Sequence, residues 1–565
     1  MTNKTRSPEI VEVAVPDVTR WLEPRTLPLW RASLRMVLVS AASVLAVGLI
    51  ATGLGGCADM SGIAPQAVLR DAPSLGLAAD STKATSQAPV SLEWWRDFGD
   101  APLNGLIDQA LQSSPSLKLA QARLARAQAA SEGTRAASQP QLNGQIDLTH
   151  QRYTANGAIP PPLAGAVRDS ATAQLNASWE FDFFGKNRAA LDAALGSVKA
   201  AEADAQAARL LLASQVARTY FQLVRLNEQT AVARRTLAQR EEILKLVQDR
   251  VQAGLDTRLE LRQSEGGLPE ARLQLEILQE QSILTRHALQ ALAGQPPGDE
   301  LALAPSPQIA IAPRALPPLI PADLLGRRAD IAAARWRVEA AAQDVAYVKT
   351  QFYPNINLVG FAGFSSIGLN HLLESGSGQW GVGPALRLPI FDAGRLRASL
   401  RGKTADLDAA VESYNAAVLD AVRDAADQAA SSRAIARQQA EQQAAQQAAE
   451  SAYDIAVQRY KAGLGNYLNV LTAETSVLAQ RRLAVDLASR ALDTQVALIR
   501  TLGGGFKSEP LTLPPAVTHR TPDEAGGFVQ HTSMQTVARG TPADSGAAAR
   551  FPVTSGSKTV GLVTP

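Results

Sequence analysis

The chain has 565 residues, of which 19% are charged and 5% aromatic, and its formal net charge is +2. This near balance of charge gives no reason to expect a nucleic-acid partner. Its single cysteine, Cys57, excludes an intrachain disulfide, and no histidine pair has the helical spacing of a metal site. No constellation of side chains meets the requirements of an active site, so we predict neither an enzyme nor a cofactor.

Residues 1–56 are predicted to form a leader that contains a lipoprotein signal peptide. Arg31 and Arg35 precede an apolar run that ends at Leu54-Gly55-Gly56-Cys57. A basic region before an apolar run is typical of a secretion signal, and the end of the run resembles the lipobox of bacterial lipoproteins. The resemblance implies lipidation of Cys57 and, because Ala58 follows it, export to the outer membrane. A single transmembrane helix is the alternative, and Met36 is an alternative start.

Beyond a Pro-, Ser- and Ala-rich linker (57–90), two pairs of segments alternate between apolar and polar residues. Such alternation predicts β-strands with one apolar face, which is a core in a soluble sandwich and faces lipid in an outer-membrane barrel. Each run has about 10–12 residues, the length of a tilted membrane-spanning strand. Four strands cannot close a barrel, so copies must join, and three would supply twelve. The apolar faces are Leu142, Gly144, Ile146 and Leu148; Ala173, Leu175, Ala177, Trp179, Phe181 and Phe183; Ile356, Leu358, Gly360, Ala362 and Phe364; and Trp380, Val382, Pro384, Leu386, Leu388 and Ile390.

Each strand pair leads into a long helical pattern, over 186–252 and over 395–461. At about 1.5 Å per residue, each helix would reach ~100 Å. Apolar residues at three- and four-residue spacing predict coiled-coil seams, and Pro269 is predicted to bend or locally break the first return helix. The predicted seam of the second return helix is Leu468, Leu471, Thr475, Leu478, Val485, Leu492, Val496 and Ile499.

A short motif marks the far end of both long helices. Arg250-Val251-Gln252-Ala253-Gly254-Leu255 returns as Arg459-Tyr460-Lys461-Ala462-Gly463-Leu464, and the separation, 459 minus 250, is 209 residues. A glycine just past a helical run is a helix-ending signal, so each copy predicts the tip of a helical hairpin. We therefore predict two repeats, 91–295 and 322–505, joined by a Pro-rich linker (296–321) and followed by a disordered tail (506–565).

The lipobox, the strand pairs that feed long helices and the repeated tips together resemble the TolC-type outer-membrane factors, nearest the lipoprotein branch of OprM and NodT. This resemblance implies a mixed α+β membrane protein that forms a homotrimer. In the family, a 12-stranded β-barrel crosses the outer membrane and a helical barrel extends through the periplasm. A periplasmic adaptor contacts the tips and links them to an inner-membrane transporter, here expected to be of the RND type.

The resemblance also implies roles for individual residues. Six are expected to contact the adaptor, and three are expected to line the periplasmic entrance. Several family members have aspartates at the entrance where this chain has an asparagine and a threonine, so a cation-selective ring is not expected. Ordinary coiled-coil end packing is the alternative for all nine. The tip residues are Arg250, Gly254, Leu255, Arg459, Gly463 and Leu464, and the entrance residues are Tyr460, Asn469 and Thr472.

The function that these expectations favour is a passive trimeric exit duct for drugs or small solutes in a tripartite efflux system. A type I protein-secretion outlet would use the same fold. A lipid-anchored periplasmic coiled-coil adaptor is the third possibility, although adaptors usually carry one hairpin.

Overall fold

The structure, a computed structural model, describes residues 60–70, 90–298 and 324–507. The predicted leader, Cys57 and almost all of the Pro-rich linker and tail lie outside these residues. The elements, in chain order, are a 3₁₀ turn at Trp94–Phe98, α1 at Ala101–Ser113, α2 at Pro115–Ala137, β1 at Gln141–Arg152, β2 at Val167–Phe181, α3 at Lys186–Gln252, α4 at Arg258–Leu292, α5 at Leu324–Arg327, α6 at Ala329–Thr350, β3 at Asn355–Ile367, β4 at Gly378–Arg387, α7 at Arg395–Lys461 and α8 at Tyr467–Thr501.

The internal repeat is visible in this order of elements. Two antiparallel strands lead into a helix of 67 residues and a return helix of 35 residues, once as β1-β2-α3-α4 and again as β3-β4-α7-α8. The predicted bounds of both long helices are confirmed. Gly185 and Gly394, which precede these helices, both adopt left-handed backbone angles, which glycine tolerates without a Cβ clash.

The four strands form one antiparallel sheet in the order β1-β2-β3-β4. Within the described residues, β1 and β4 therefore have a strand on one side only. Amide side chains link the strands across the polar face: Asn176 donates to Gln145, and Gln379 donates to Gln174 at 3.1 Å. The sheet has two open edges and an internally hydrogen-bonded polar face.

The opposite face of the sheet is apolar and exposed. Trp380 and Val382 of β4 are 78% and 69% exposed, and Leu142, Ile146, Leu148, Leu175, Trp179 and Leu386 are also exposed on this predicted face. Large apolar side chains left open on one whole face indicate a surface that another apolar phase covers. The fourth strand ends at Arg387, so the prediction that its alternation continues to Ile390 is wrong by three residues. Phe183 likewise lies beyond the end of β2.

The helices form a layer whose members change along its length. Near the sheet the neighbours are α2-α3-α6-α7, and near the tips they are α4-α3-α8-α7. Helices α2, α4 and α7 therefore form the edges of this layer in a single chain. No helix in the described ranges is both long and apolar enough to cross a membrane.

The first return helix packs as its heptad pattern predicts. Ala271, Leu275, Leu278 and Leu289 are all buried, where they face α3. Pro269 lies inside α4, which continues through it, so of the predicted bend or local break the break is wrong and the bend stays a prediction. The flanking turns supply enough backbone hydrogen bonds to keep the helix intact although proline has no N–H to donate.

The second return helix differs from its prediction near the tip. Leu468 and Thr475 are exposed, and the buried stripe is shifted by one position to Tyr467, Val470, Glu474, Val477 and Arg481. Both stripes have three- and four-residue spacing, and the sequence favoured the one without charges. The charged stripe is buried because Glu474 pairs with Arg240 and Arg481 pairs with Glu450. Farther from the tip, the predicted Leu492, Val496 and Ile499 are buried.

Candidate functional site at the hairpin tips

The two hairpin tips share one backbone design. After α3, Gly254 has φ +73° and the N–H of Leu255 donates to the carbonyl of Arg250; after α7, Gly463 has φ +71° and the N–H of Leu464 donates to the carbonyl of Arg459. This six-to-one hydrogen bond with a left-handed glycine is the Schellman ending of a helix. The predicted hairpin tips are therefore present at both motifs.

Each return helix begins with a side-chain cap, but the two caps differ. Thr257 and Glu260 form a capping box at the start of α4, in which the side chain of Thr257 accepts from the N–H of Leu259. Asn466 caps α8 by accepting from the N–H of Asn469 at 3.1 Å. These caps fix the direction in which each return helix leaves its tip.

The apolar residue of each tip motif is exposed. Leu255 is 65% exposed and Leu464 is 69% exposed, and Gly254 and Gly463 are exposed beside them. A Cβ built on Gly254 would meet no atom within 4 Å, so no part of the described chain fills the space over this tip. Two similar apolar surfaces are thus exposed at the ends of the two hairpins.

Beneath this surface, one polar cluster joins the first tip to the second. The phenol of Tyr460 donates to Asp256 at 2.5 Å, and the guanidinium of Arg250 forms an ion pair with Asp256 at 2.9 Å. Arg250 also donates to the backbone carbonyl of Tyr460 at 3.2 Å, and its guanidinium carbon lies 4.7 Å from the centre of the phenol ring. We call Arg250, Asp256 and Tyr460 the tip cluster.

Burial strengthens the tip cluster. The Tyr460 side chain is fully buried, and the side chains of Arg250 and Asp256 are nearly so. Burial raises the pKa of Tyr460 far above its ordinary value, and the hydrogen bond to Asp256 adds to the shift. Burial also raises the pKa of Asp256, but the bonds from Arg250 and Tyr460 outweigh it and leave the pKa below its usual range. The cluster is therefore a neutral phenol, a carboxylate and a guanidinium across the physiological pH range.

The sequence pointed to Arg250 and Tyr460 but missed Asp256. At the offset of 209 residues, Asp256 corresponds to Gly465 and Tyr460 corresponds to Val251. The repeats therefore differ at the two positions, Asp256 and Tyr460, whose side chains bond to each other across the tips. This mismatch was the available signal, because a carboxylate directly after one tip has no counterpart at the other.

Further from the tips, ion pairs and amide contacts connect α3 to α7 and α8. Arg240 pairs with Glu474 at 2.9 Å, and Arg481 pairs with both oxygens of Glu450 and donates to Gln239. Still farther from the tips, the Asp486 carboxylate accepts hydrogen bonds from Arg225 and Gln229 of α3. These contacts hold the two hairpins together over residues 474–486 of α8.

The remaining predicted tip and entrance residues lie apart from the tip cluster. Arg459 is exposed, and it donates to the carbonyl of Leu464 in its own tip. Asn469 and Thr472 are exposed on the first turns of α8, where the Thr472 hydroxyl bonds back to the carbonyl of Leu468. Within the described residues, no group of three or more His, Cys, Asp or Glu side chains is placed to hold a metal ion.

Comparison with known proteins identifies the family. The model of the outer membrane efflux protein family matches residues 106–295 and 320–504. The chain is 32% identical over 468 residues to the multidrug resistance outer membrane protein MdtQ of Escherichia coli, covering 80% of this chain and 96% of MdtQ. It is 38% identical over 365 residues to the fusaric acid resistance protein FusA of Burkholderia cepacia, covering 64% of this chain and 68% of FusA.

Solved structures agree with this assignment. The outer membrane protein VceC of Vibrio cholerae is 39% identical, with a TM-score of 0.70 over 74% of this chain and 100% of VceC. The CmeC outer membrane channel of Campylobacter jejuni is 26% identical, with a TM-score of 0.72 over 79% of this chain and 95% of CmeC. The predicted fold class is thereby confirmed. The chain belongs to the outer membrane efflux protein family and is an outer-membrane channel component of an efflux system.

Proposed function

We propose that three copies of the chain join to form a passive exit duct, with a twelve-stranded barrel in the outer membrane and a helical barrel in the periplasm. The two open edges of the four-stranded sheet carry this proposal. A sheet edge in lipid would leave backbone N–H and C=O groups without partners, so β1 of one copy must pair with β4 of the next.

The edges of the helical layer support the same closure. On α7, five exposed alanines at four-residue spacing form a ridge on the side opposite Gln442 and Tyr453, which contact α8; they are Ala436, Ala440, Ala444, Ala448 and Ala452. On α4, the exposed Leu273, Ile277 and Leu284 lie opposite the face buried against α3. Counted from the tips, the two stripes overlap in height, so leucines of one copy fit against alanines of the next.

We propose that the open tips receive a periplasmic adaptor, which connects the duct to an inner-membrane transporter of the RND type. The exposed Leu255 and Leu464 provide paired apolar contacts, and Gly254 and Gly463 leave room for a helix to approach. Arg459, exposed beside the second tip, offers a donor at its rim. Apolar centres with polar rims are typical of protein interfaces.

The tip cluster is proposed to hold the periplasmic entrance closed. Its phenol, carboxylate and guanidinium join the tip of the first hairpin to the second, so the hairpins cannot separate there while it is intact. Asn469 and Thr472 would line the entrance as neutral polar rings, without the charge of a carboxylate ring. Adaptor binding would open the duct by favouring hairpin positions in which the cluster is broken.

Small organic compounds are the proposed cargo. The names of the relatives refer to multidrug resistance, fusaric acid resistance and, for OpmQ of Pseudomonas aeruginosa, pyoverdine export. As the family consists of channel proteins, we propose that the chain performs no chemistry on this cargo. The repeats are proposed to span 91–295 and 322–505, in agreement with the two segments matched by the family model.

Lipidation of Cys57 is proposed as an additional anchor in the outer membrane. Residues 60–70 lie along α7, where Asp408 accepts from the N–H groups of Gln66 and Ala67 at 2.9 and 3.0 Å. Met60 packs near Leu400, close to the end of α7 that follows the sheet. Cys57 is three residues before Met60, so at most ~10 Å of chain separates an acyl anchor from Met60.

The experiment that tests the duct is electrical recording from the purified protein in planar bilayers. We expect discrete ion-conducting steps, and a protein that gives none in any state would contradict the proposal. Cell fractionation tests the anchor separately. A Cys57→Ser variant should lose its acyl chains but stay in the outer membrane, because the barrel holds it there; release into the soluble fraction would show that lipid alone held it.

A further inference from the structure

The first return helix contains a weak point that the second lacks. Gly266, Gly267 and Pro269 lie within four consecutive residues of α4, about 12 Å from its start. At the offset of 209 residues, the corresponding positions in α8 are Thr475, Ser476 and Leu478. Glycine and proline are the two poorest helix formers, so the helical state is least stable at this point of α4.

Packing within the chain does not explain these residues. Both glycines have ordinary helical backbone angles, since neither is among the residues with positive φ. A Cβ on Gly267 would meet the side chain of Arg240 at 3.5 Å, an ordinary contact, and one on Gly266 would meet nothing within 4 Å. Gly266 lies on the same exposed face as Leu273, where its small size would serve the approach of a neighbouring copy. Gly267 faces Arg240 instead, and a proline offers no such small size, so Gly267 and Pro269 are the informative pair.

The surroundings of the weak point leave room for α4 to bend and hold this part of α4 against α3. A cavity of about 230 Å³ lies beside the glycines, between α3, α4, α7 and α8, lined in part by Tyr453 and Tyr467. Arg240 of α3 donates to the carbonyl of Gly267 at 2.7 Å and also contacts Glu270. It holds Glu474 of α8 at the same level. A single side chain thus ties both return helices to α3 where α4 is weakest.

We propose that Gly267 and Pro269, with Gly266, form a hinge in α4 about which the tip end of the first hairpin bends when the tip cluster opens. Arg240 is the pivot, because its bond to the Gly267 carbonyl holds the helix on α3 while the residues nearer the tip move. The second hairpin has no such point and bends less at the corresponding level. The hinge rests on the proposed exit duct, since it concerns how that duct opens.

Hydrogen–deuterium exchange on the purified full-length protein tests the hinge. Tyr460→Phe releases the tip cluster, and we expect exchange in the segment 266–274 to become at least about tenfold faster, with little change in the equivalent segment 475–483 of α8. Gly267→Ala combined with Pro269→Ala should cancel most of the acceleration, because alanine restores helix stability. Ser476→Ala with Leu478→Ala is the matched control in α8 and should leave the acceleration in α4 intact.

Two exchange results would overturn the hinge. One is equal acceleration of both segments on cluster release; the other is acceleration in α4 that survives the Gly267→Ala and Pro269→Ala changes. Bilayer recording distinguishes failure of the hinge proposal from failure of the proposed duct. A protein that conducts but shows either exchange result lacks the hinge, whereas a protein that never conducts refutes the duct. In the Tyr460→Phe background, the stiffened helix should reduce the opening frequency about tenfold, and an unchanged frequency also counts against the hinge.

Discussion

At the scale of single residues, the contact that joins the two hairpin tips is the carboxylate of Asp256, which lies between a phenol and a guanidinium. It joins repeats whose sequences match at the tips but differ at the positions that bond. An internal repeat predicts shared backbone, and it does so here for both hairpins. It cannot predict a contact that depends on the repeats being different, which is why Asp256 was missed although Arg250 and Tyr460 were not.

Removal of the Tyr460 hydroxyl should open the entrance. Tyr460→Phe deletes the 2.5 Å bond to Asp256 and leaves a buried carboxylate with one partner fewer, at a cost of about 1–3 kcal/mol in each subunit. We expect a rise of at least about tenfold in spontaneous opening in planar bilayers. Tyr453→Phe is the matched control, because Tyr453 is buried on the same helix outside the tip cluster. Equal effects of the two substitutions would show that altered packing, and not the lost hydrogen bond to Asp256, raises the opening frequency.

The pH dependence of opening follows from the shifted pKa values of Asp256 and Tyr460. The pKa of Asp256 is lowered in the closed cluster, so its contribution is complete above the ordinary value of 3.8 and is lost as pH falls through the lowered one. The pKa of Tyr460 is raised, so its contribution is complete below the ordinary value of 10.0 and is lost only at more alkaline pH. We expect the opening frequency to stay constant from about pH 5 to pH 9. A rise between pH 7 and pH 5 would show that another group controls the entrance.

At the scale of elements, the helices were more predictable than their contacts. A left-handed glycine ends a helix for local reasons, so Gly254 and Gly463 correctly predicted where both tips lie. The buried face of α8 depends on partners far along the chain. Glu474 and Arg481 are buried because α3 and α7 present Arg240 and Glu450, and no local pattern contains that information.

The tip glycines give a prediction for adaptor docking. Valine at Gly254 and Gly463 would be forced to a φ near +70° and would stand in the open space beside the exposed leucines, at a cost of about 1–2 kcal/mol for each backbone. We expect weaker crosslinking to the adaptor without loss of the assembled channel. Gly402→Val, in the helical interior of α7, is the control. Unchanged crosslinking of the tip variant would place the adaptor elsewhere.

The alanine ridge of α7 gives a prediction for assembly. Ala444→Glu would bury an unpaired carboxylate three times around the helical barrel, and we expect at least about a hundredfold weaker association. Ala445→Glu places the same charge on the next exposed residue of the same helix, about 100° around the helix axis from Ala444. It should leave association unchanged. Equal effects of the two substitutions would show that the ridge does not face a neighbouring copy.

At the scale of the whole molecule, the chain is incomplete by itself. Its sheet has two open edges, its apolar strand face is exposed, and its helical layer ends in an alanine ridge on one side and a stripe of larger apolar residues on the other, which overlap in height. The sequence could predict this need for closure, because alternation along four short strands implies a barrel that one chain cannot supply. It could not predict which helix faces meet. Those contacts depend on the spatial order of the helices, in which α3 lies between α4 and α8.

The number of copies in the assembled particle tests this account most directly. Native mass spectrometry of the protein, extracted from outer membranes in mild detergent, should give the mass of three chains. A stable single chain under the same conditions would contradict the account, because its two sheet edges would then have to be satisfied without a partner.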